Sequence, residues 1–110
     1  MLTEQTPLWD EAISNMLVEE QQILDAPLNL EKLQELAVSH AIRLGDIIET
    51  LFLMAIYGDW RFLDTEGKSK ELDEQALQSM YAKGPIDEEN ADAFEGDWVP
   101  SGFYLSLIHI

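Results

Sequence analysis

The eleven residues Ile47-Ile48-Glu49-Thr50-Leu51-Phe52-Leu53-Met54-Ala55-Ile56-Tyr57 constrain this chain more than any other segment. They are apolar nearly all the way round a helix. Such a helix is either central in a core or offers one face to a partner. The longest unbroken apolar run, residues 51–57, is far short of the ~20 residues a membrane span needs. The rest of the chain must therefore be arranged around this segment in water. A length of 110 residues allows one domain. A chain of that size buries roughly two-thirds of its unfolded surface, enough for an ordinary core. Its 46% hydrophobic content is globular in character. The absence of cysteine excludes a disulfide scaffold, thiol catalysis and cysteine-ligated metal sites.

Stops and caps divide the remainder. Thr6 and Pro7 suit the cap and first position of a helix over 7–24, with Asp10 and Glu11 in its first turn. Trp9, Ala12, Ile13, Met16, Leu17, Ile23 and Leu24 form its apolar stripe, and Glu19, Glu20, Gln21 and Gln22 face outward. Pro27 ends it. Asn29 caps a second helix, with Leu28 and Leu33 as a hydrophobic staple. Leu33, Leu36, Ala37, Ala41, Ile42 and Leu44 make its stripe, and Gly45 closes it. Asp46, with Glu49 three residues on, caps the central helix, which Gly58 terminates. Residues 60–63 and 68–72 suit a short β-hairpin turning on Asp64-Thr65-Glu66-Gly67. A two-stranded hairpin is only marginally stable alone, so it must lie on the helices. Asp73 caps a helix over 74–83 with Ala76, Leu77, Met80 and Tyr81 inward, ended by Gly84. Asp87 caps a short helix over 88–95, closed by Gly96. The predicted fold is mainly α: a single small bundle of four to five helices with a short β-hairpin around 60–72.

Ala55-Ile56-Tyr57-Gly58-Asp59-Trp60 echoes Ala93-Phe94-Glu95-Gly96-Asp97-Trp98 at Ala, Gly, Asp and Trp. The pattern reads as a helix stopping on glycine before an aromatic anchors the chain, and it is too short for a repeat. Residues 105–110 are uncharged on an otherwise acidic chain. Read back as CTG TCT CTT ATA CAC ATC, they match the mosaic-end adapter of transposase-based sequencing libraries. Residues 1–104 are thus expected to be the acidic helical domain, and 105–110 a non-native tail. His109 then drops out, leaving His40 as the histidine to consider.

Twenty-two Asp and Glu against six Lys and Arg give a net charge of −16. Small domains usually sit at a magnitude of ~2–8. The excess is even, −8 over 1–58 and −8 over 59–110, so the whole surface is coated. Such a coat repels nucleic acid and anionic membranes and attracts basic protein surfaces. It also suits solubility or a salty habitat. Met1-Leu2-Thr3-Glu4 lacks the basic and apolar regions of a signal peptide, and a cytoplasmic location is expected.

Reactive chemistry finds little support. Ser39 and His40 are adjacent on one helix and do not face each other. The six glycines are single stops, with no phosphate-binding loop. Residues 87–97 hold six acids and no base, but lack the EF-hand order. Glu31, Glu35, Glu49 and His40 do not form the paired Glu-x-x-His pattern of a di-iron bundle. Residues 33–57 resemble a helix-turn-helix in spacing, yet Asp46 and Glu49 stand where a DNA reader needs Arg, Lys, Asn or Gln. No cofactor, metal or catalytic residue is expected.

The expectation is a non-catalytic acidic interaction module that binds a basic partner. Its narrower form is a nucleic-acid mimic inhibiting a DNA- or RNA-handling protein. The contact residues expected are Glu19, Glu20, Glu31, Glu35, Asp73, Glu74, Asp87, Glu88, Glu89 and Asp92. The alternative is an accessory or assembly subunit docking through Leu51, Phe52, Met54, Tyr57 and the tryptophans, with acidity serving solubility or salt adaptation alone.

Overall fold

The computed structural model describes residues 10–82 and 95–103. The expectations placed on Thr6, Pro7, Trp9, Gly84, the cap at Asp87, all but the last residue of the helix over 88–95, and the tail over 105–110 lie outside them. The elements run α1 (Glu11–Leu24), β1 (Leu28–Asn29), α2 (Leu30–Ser39), α3 (Leu44–Ile56), β2 (Trp60–Leu63), β3 (Ser69–Lys70), α4 (Glu74–Ala82) and β4 (Asp97–Pro100). The chain is a small helix-rich domain, but its strands form a four-stranded antiparallel sheet ordered β1-β4-β2-β3. The expected hairpin is its β2–β3 half. The other half corrects the bundle expectation.

The centre is α3. Ile47, Ile48 and Leu51 are fully buried and Phe52 and Met54 nearly so. Helices α1 and α2 and strand β2 pack on it from different sides, which is why it is apolar nearly all round. Its one buried polar side chain, Thr50, is satisfied within the helix: the hydroxyl donates to the Asp46 carbonyl at 2.7 Å.

Helix α1 begins later than predicted. Asp10 is extended (φ −73°, ψ 117°), and its carboxylate accepts the Ala12 and Ile13 amides at 2.8 and 3.2 Å. It is therefore the cap rather than a first-turn residue. Ile13, Met16, Leu17 and Gln21 are buried. Several expectations reverse here: Gln21 lies inside rather than outside, and Ala12, Ile23 (80% exposed) and Leu24, the last residue of the helix, lie outside rather than inside. At 100° per residue Gln21 falls beside Leu17, and Ile23 turns off the stripe. Asp25, left-handed at φ 52°, ends the helix two residues before Pro27.

The boundary between α2 and α3 also moves. Helix α2 starts as predicted, with the Asn29 side chain accepting the Lys32 amide at 2.8 Å and Leu28 and Leu33 both fully buried. It ends at Ser39, not Gly45. Ala41 is left-handed (φ 54°), the Ile42 amide donates to the Ala37 carbonyl at 2.9 Å, and the Ala41 amide to Val38 at 3.3 Å. This pair of bonds is a Schellman closure, and Ile42 and Ala37, which it brings together, both pack on the core. Gly45 thus lies inside α3, Arg43 is the cap residue with no side-chain bond to the backbone of the first turn, and Asp46 instead pairs with Arg43 at 3.3 Å. Ala41 is exposed, while Leu44 is buried from the first position of α3. At the far end of α3 the same closure recurs. Gly58 is at φ 87°, and the Asp59 amide donates to Met54 and the Gly58 amide to Ala55.

The glycine-aspartate-tryptophan echo marks the starts of β2 and β4, the two central strands. Trp98 stands opposite Phe62, and Trp60 opposite Pro100. The Ser101 amide donates to the Asp59 carbonyl at 2.9 Å, so Asp59 and Ser101 form a hydrogen-bonded pair. Pairs alternate along an antiparallel ladder. Pro100 therefore falls in a non-bonded pair with β2 and points its nitrogen to the side where β1 has already ended. Phe62 and Trp98 also form a non-bonded pair, where side chains lie closest. Their ring centroids are 4.6 Å apart, tilted by 44°. Trp98 is completely buried, and its indole N–H has no hydrogen-bond partner among the described residues. Gly96 is at φ 152°, and all but the last residue of the helix expected to close on it lies outside the described residues. A Cβ would meet the Leu63 carbonyl oxygen and the Phe62 ring.

In α4 the Asp73 carboxylate accepts the Ala76 amide at 2.8 Å, as predicted for a cap. Met80 is buried and Ala76 and Leu77 pack on the core. Tyr81, expected inward, is 48% exposed and stands near Glu49 on α3. Partial burial and then the Glu49 charge push its phenol above the usual range.

Candidate interaction surface

Helix α2 has two faces of opposite character. Leu33 and Leu36 are buried, and Ala37 packs beside them. About 140° round the helix from Leu33 lies Val38, and Glu31, Gln34 and Glu35 share its direction at separations of seven, four and three residues. Val38 is 82% exposed. Glu20, from α1, borders the same face. Together Glu20, Glu31, Lys32, Gln34, Glu35, Leu36, Val38 and Ser39 line an open cleft of about 530 Å³. Its walls are more carbon than polar atoms, so carboxylates and an apolar surface share one depression.

Three of the predicted contact residues, Glu20, Glu31 and Glu35, are thus brought together. Glu19 is exposed on α1 outside the cleft. Asp73 and Glu74 are exposed at the start of α4, where Asp73 is engaged as the helix cap. Asp87, Glu88, Glu89 and Asp92 lie outside the described residues. Val38 is not among the residues that sequence reasoning singles out. Its signal is an aliphatic residue off the buried stripe of α2 amid glutamates. A single exposed apolar residue is common on protein surfaces, however, and carries no meaning until a cleft is seen around it.

The charges in the cleft are unbalanced. Among the described residues, ion pairs join Arg43 to Asp46 at 3.3 Å and Lys68 to Glu66 at 3.9 Å, and both are exposed. Lys32 lies beside Glu31 and Glu35 without approaching either within 4.0 Å. A second cleft, of about 330 Å³, is lined by Arg61, Ser69, Lys70, Glu71, Asp73 and Ser101 among others. Its two bases and two acids favour neither sign of ligand. Among the described residues no three Asp, Glu or His side chains gather as metal ligands. His40 is an exposed C-cap residue, and its backbone amide closes α2.

Most of the residues named for the alternative reading are interior. Leu51, Phe52, Met54, Trp60 and Trp98 are all at most 3% exposed, Tyr57, the residue that caps the end of α3, is exposed, and Trp9 lies outside the described residues. Among the described residues no helix is long and apolar enough to cross a membrane. No family model matches the chain, and neither curated proteins nor solved structures provide a match.

Proposed function

We propose that this chain is a non-catalytic protein-interaction module whose acidic surface binds a basic partner. The observation that carries the reading is the exposure of Glu19, Glu31, Glu35 and Glu74 with no base within ion-pair distance among the described residues. Carboxylates held this way gain little from their own fold and are available to an outside cation. A field of this sign steers basic proteins toward the chain and speeds their association.

Nucleic-acid mimicry is the narrower form. Glu31 and Glu35 rise about 6 Å along the helix axis, against one charge per ~3.4 Å along each DNA strand. One helical row is therefore too sparse to imitate a strand, and mimicry requires several acidic faces acting together.

The test is affinity capture of basic proteins on the immobilised chain, against polyglutamate matched for charge. The expected result is a protein held by the chain and not by polyglutamate, released steeply as salt rises. Displacement of that protein by duplex DNA supports the mimic form. Retention no better than polyglutamate at low ionic strength overturns the proposal.

A further inference from the structure

Resting on the reading above, we infer that the α1–α2 cleft is the docking groove, and that its occupant is a lysine- or arginine-rich partner segment carrying an aliphatic side chain among its cations. Charge complementarity fixes the first half. Glu20, Glu31 and Glu35 border the cleft against Lys32 alone. A second copy of this chain would set carboxylates against carboxylates, and nucleic acid or anionic lipid would set phosphates against them.

The surface between the charges fixes the second half. Val38 is 82% exposed, lies about 20° round the helix from Glu31 and about 60° from Glu35 with both to the same side, and joins carbon-rich walls. A purely cationic partner can lay only the methylene stem of a lysine or arginine there. A partner with one aliphatic side chain covers Val38 while its cations reach the glutamates that line the same cleft. Valine is also a poorer helix former than alanine, so its presence at this outward site brings α2 nothing by itself. The groove thus distinguishes partners by more than charge, which a uniform negative coat does not.

The probes are two synthetic peptides with the same number of lysines, one lysine alone and one interleaved with leucine. Each is titrated into the full chain while backbone amide resonances are followed by NMR. The lysine–leucine peptide is expected to bind more tightly and to shift amides over residues 30–39. Val38→Ala is expected to weaken that peptide about tenfold by removing two carbons from the contact, and to leave oligolysine unaffected. The substitution keeps or raises helicity, checked by circular dichroism, so weakening does not reflect unfolding. Glu31→Gln with Glu35→Gln is expected to weaken both peptides. If Val38→Ala changes nothing, or the shifts spread evenly over every acidic face, the groove is overturned while the acidic-module reading stands. If neither peptide binds at low salt, both fall.

Discussion

Ala41 holds a backbone conformation that glycine normally supplies. At φ 54° its Cβ crowds the following carbonyl, and the Schellman bonds at Ala37 and Val38 hold it there. Ala41→Gly is therefore expected to stabilise the domain by about 1 kcal/mol, read from the urea midpoint at constant slope. Had α2 run on to Gly45, the same change would sit mid-helix and destabilise by about 1 kcal/mol. The sign alone separates the two boundaries. A left-handed alanine leaves no mark in a sequence, whereas the glycine four residues later is a conventional stop signal. That is why the residues locate the cap at Asn29 correctly and misplace the junction.

At the level of elements, the β2–β3 hairpin turns as its residues predict. The Gly67 amide donates to the Asp64 carbonyl at 2.9 Å and Gly67 sits at φ 80°, the left-handed end of a three-residue loop. The Asp64 carboxylate accepts the Glu66 and Lys68 amides at 2.9 and 3.0 Å. The Lys68 amide, before the Glu66 amide and the Lys68 and Lys70 charges, holds its pKa below the ordinary 3.8. A carboxyl lowered in the folded state stabilises above its unfolded pKa, and that contribution disappears as pH falls through the folded value. The Asp64 carboxyl is expected to titrate below 3.8 by NMR. Asp64→Ala is expected to speed exchange of the Lys68 amide at neutral pH, and protection unchanged from the parent would refute the role. The other half of the sheet is hidden in the sequence for a different reason. Strand β1 is two residues long and β4 ends on proline, so neither shows the alternation by which strands are recognised.

For the whole molecule, self-repulsion is the main electrostatic effect. A net charge of −16 on a chain with two ion pairs among its described residues disfavours the folded state at low ionic strength. Added sodium chloride at neutral pH is expected to raise the melting temperature by about 5 °C, equivalent to about 1 kcal/mol for a domain of this size. Near the sequence pI of about 4.1 the same salt is expected to change it little. Scanning calorimetry at both pH values checks this, and equal responses would show that salt acts through something other than screened repulsion. Acidity is fully legible as a composition, but its concentration at one cleft is not. Glu20 and Glu31 belong to different helices, and only their packing makes them neighbours.

Local chemistry determined the central helix, the caps at Asn29 and Asp73, the turn at 64–67 and the sign of the surface charge. Each depends on residues a few positions apart, or on a sum that ignores position. Tertiary structure decided the sheet order, the left-handed turn at Ala41, the interior place of Trp60 and Trp98, and the meeting of Val38 with Glu20. Those depend on which segments, distant along the chain, satisfy each other's backbone bonds and cover each other's apolar faces.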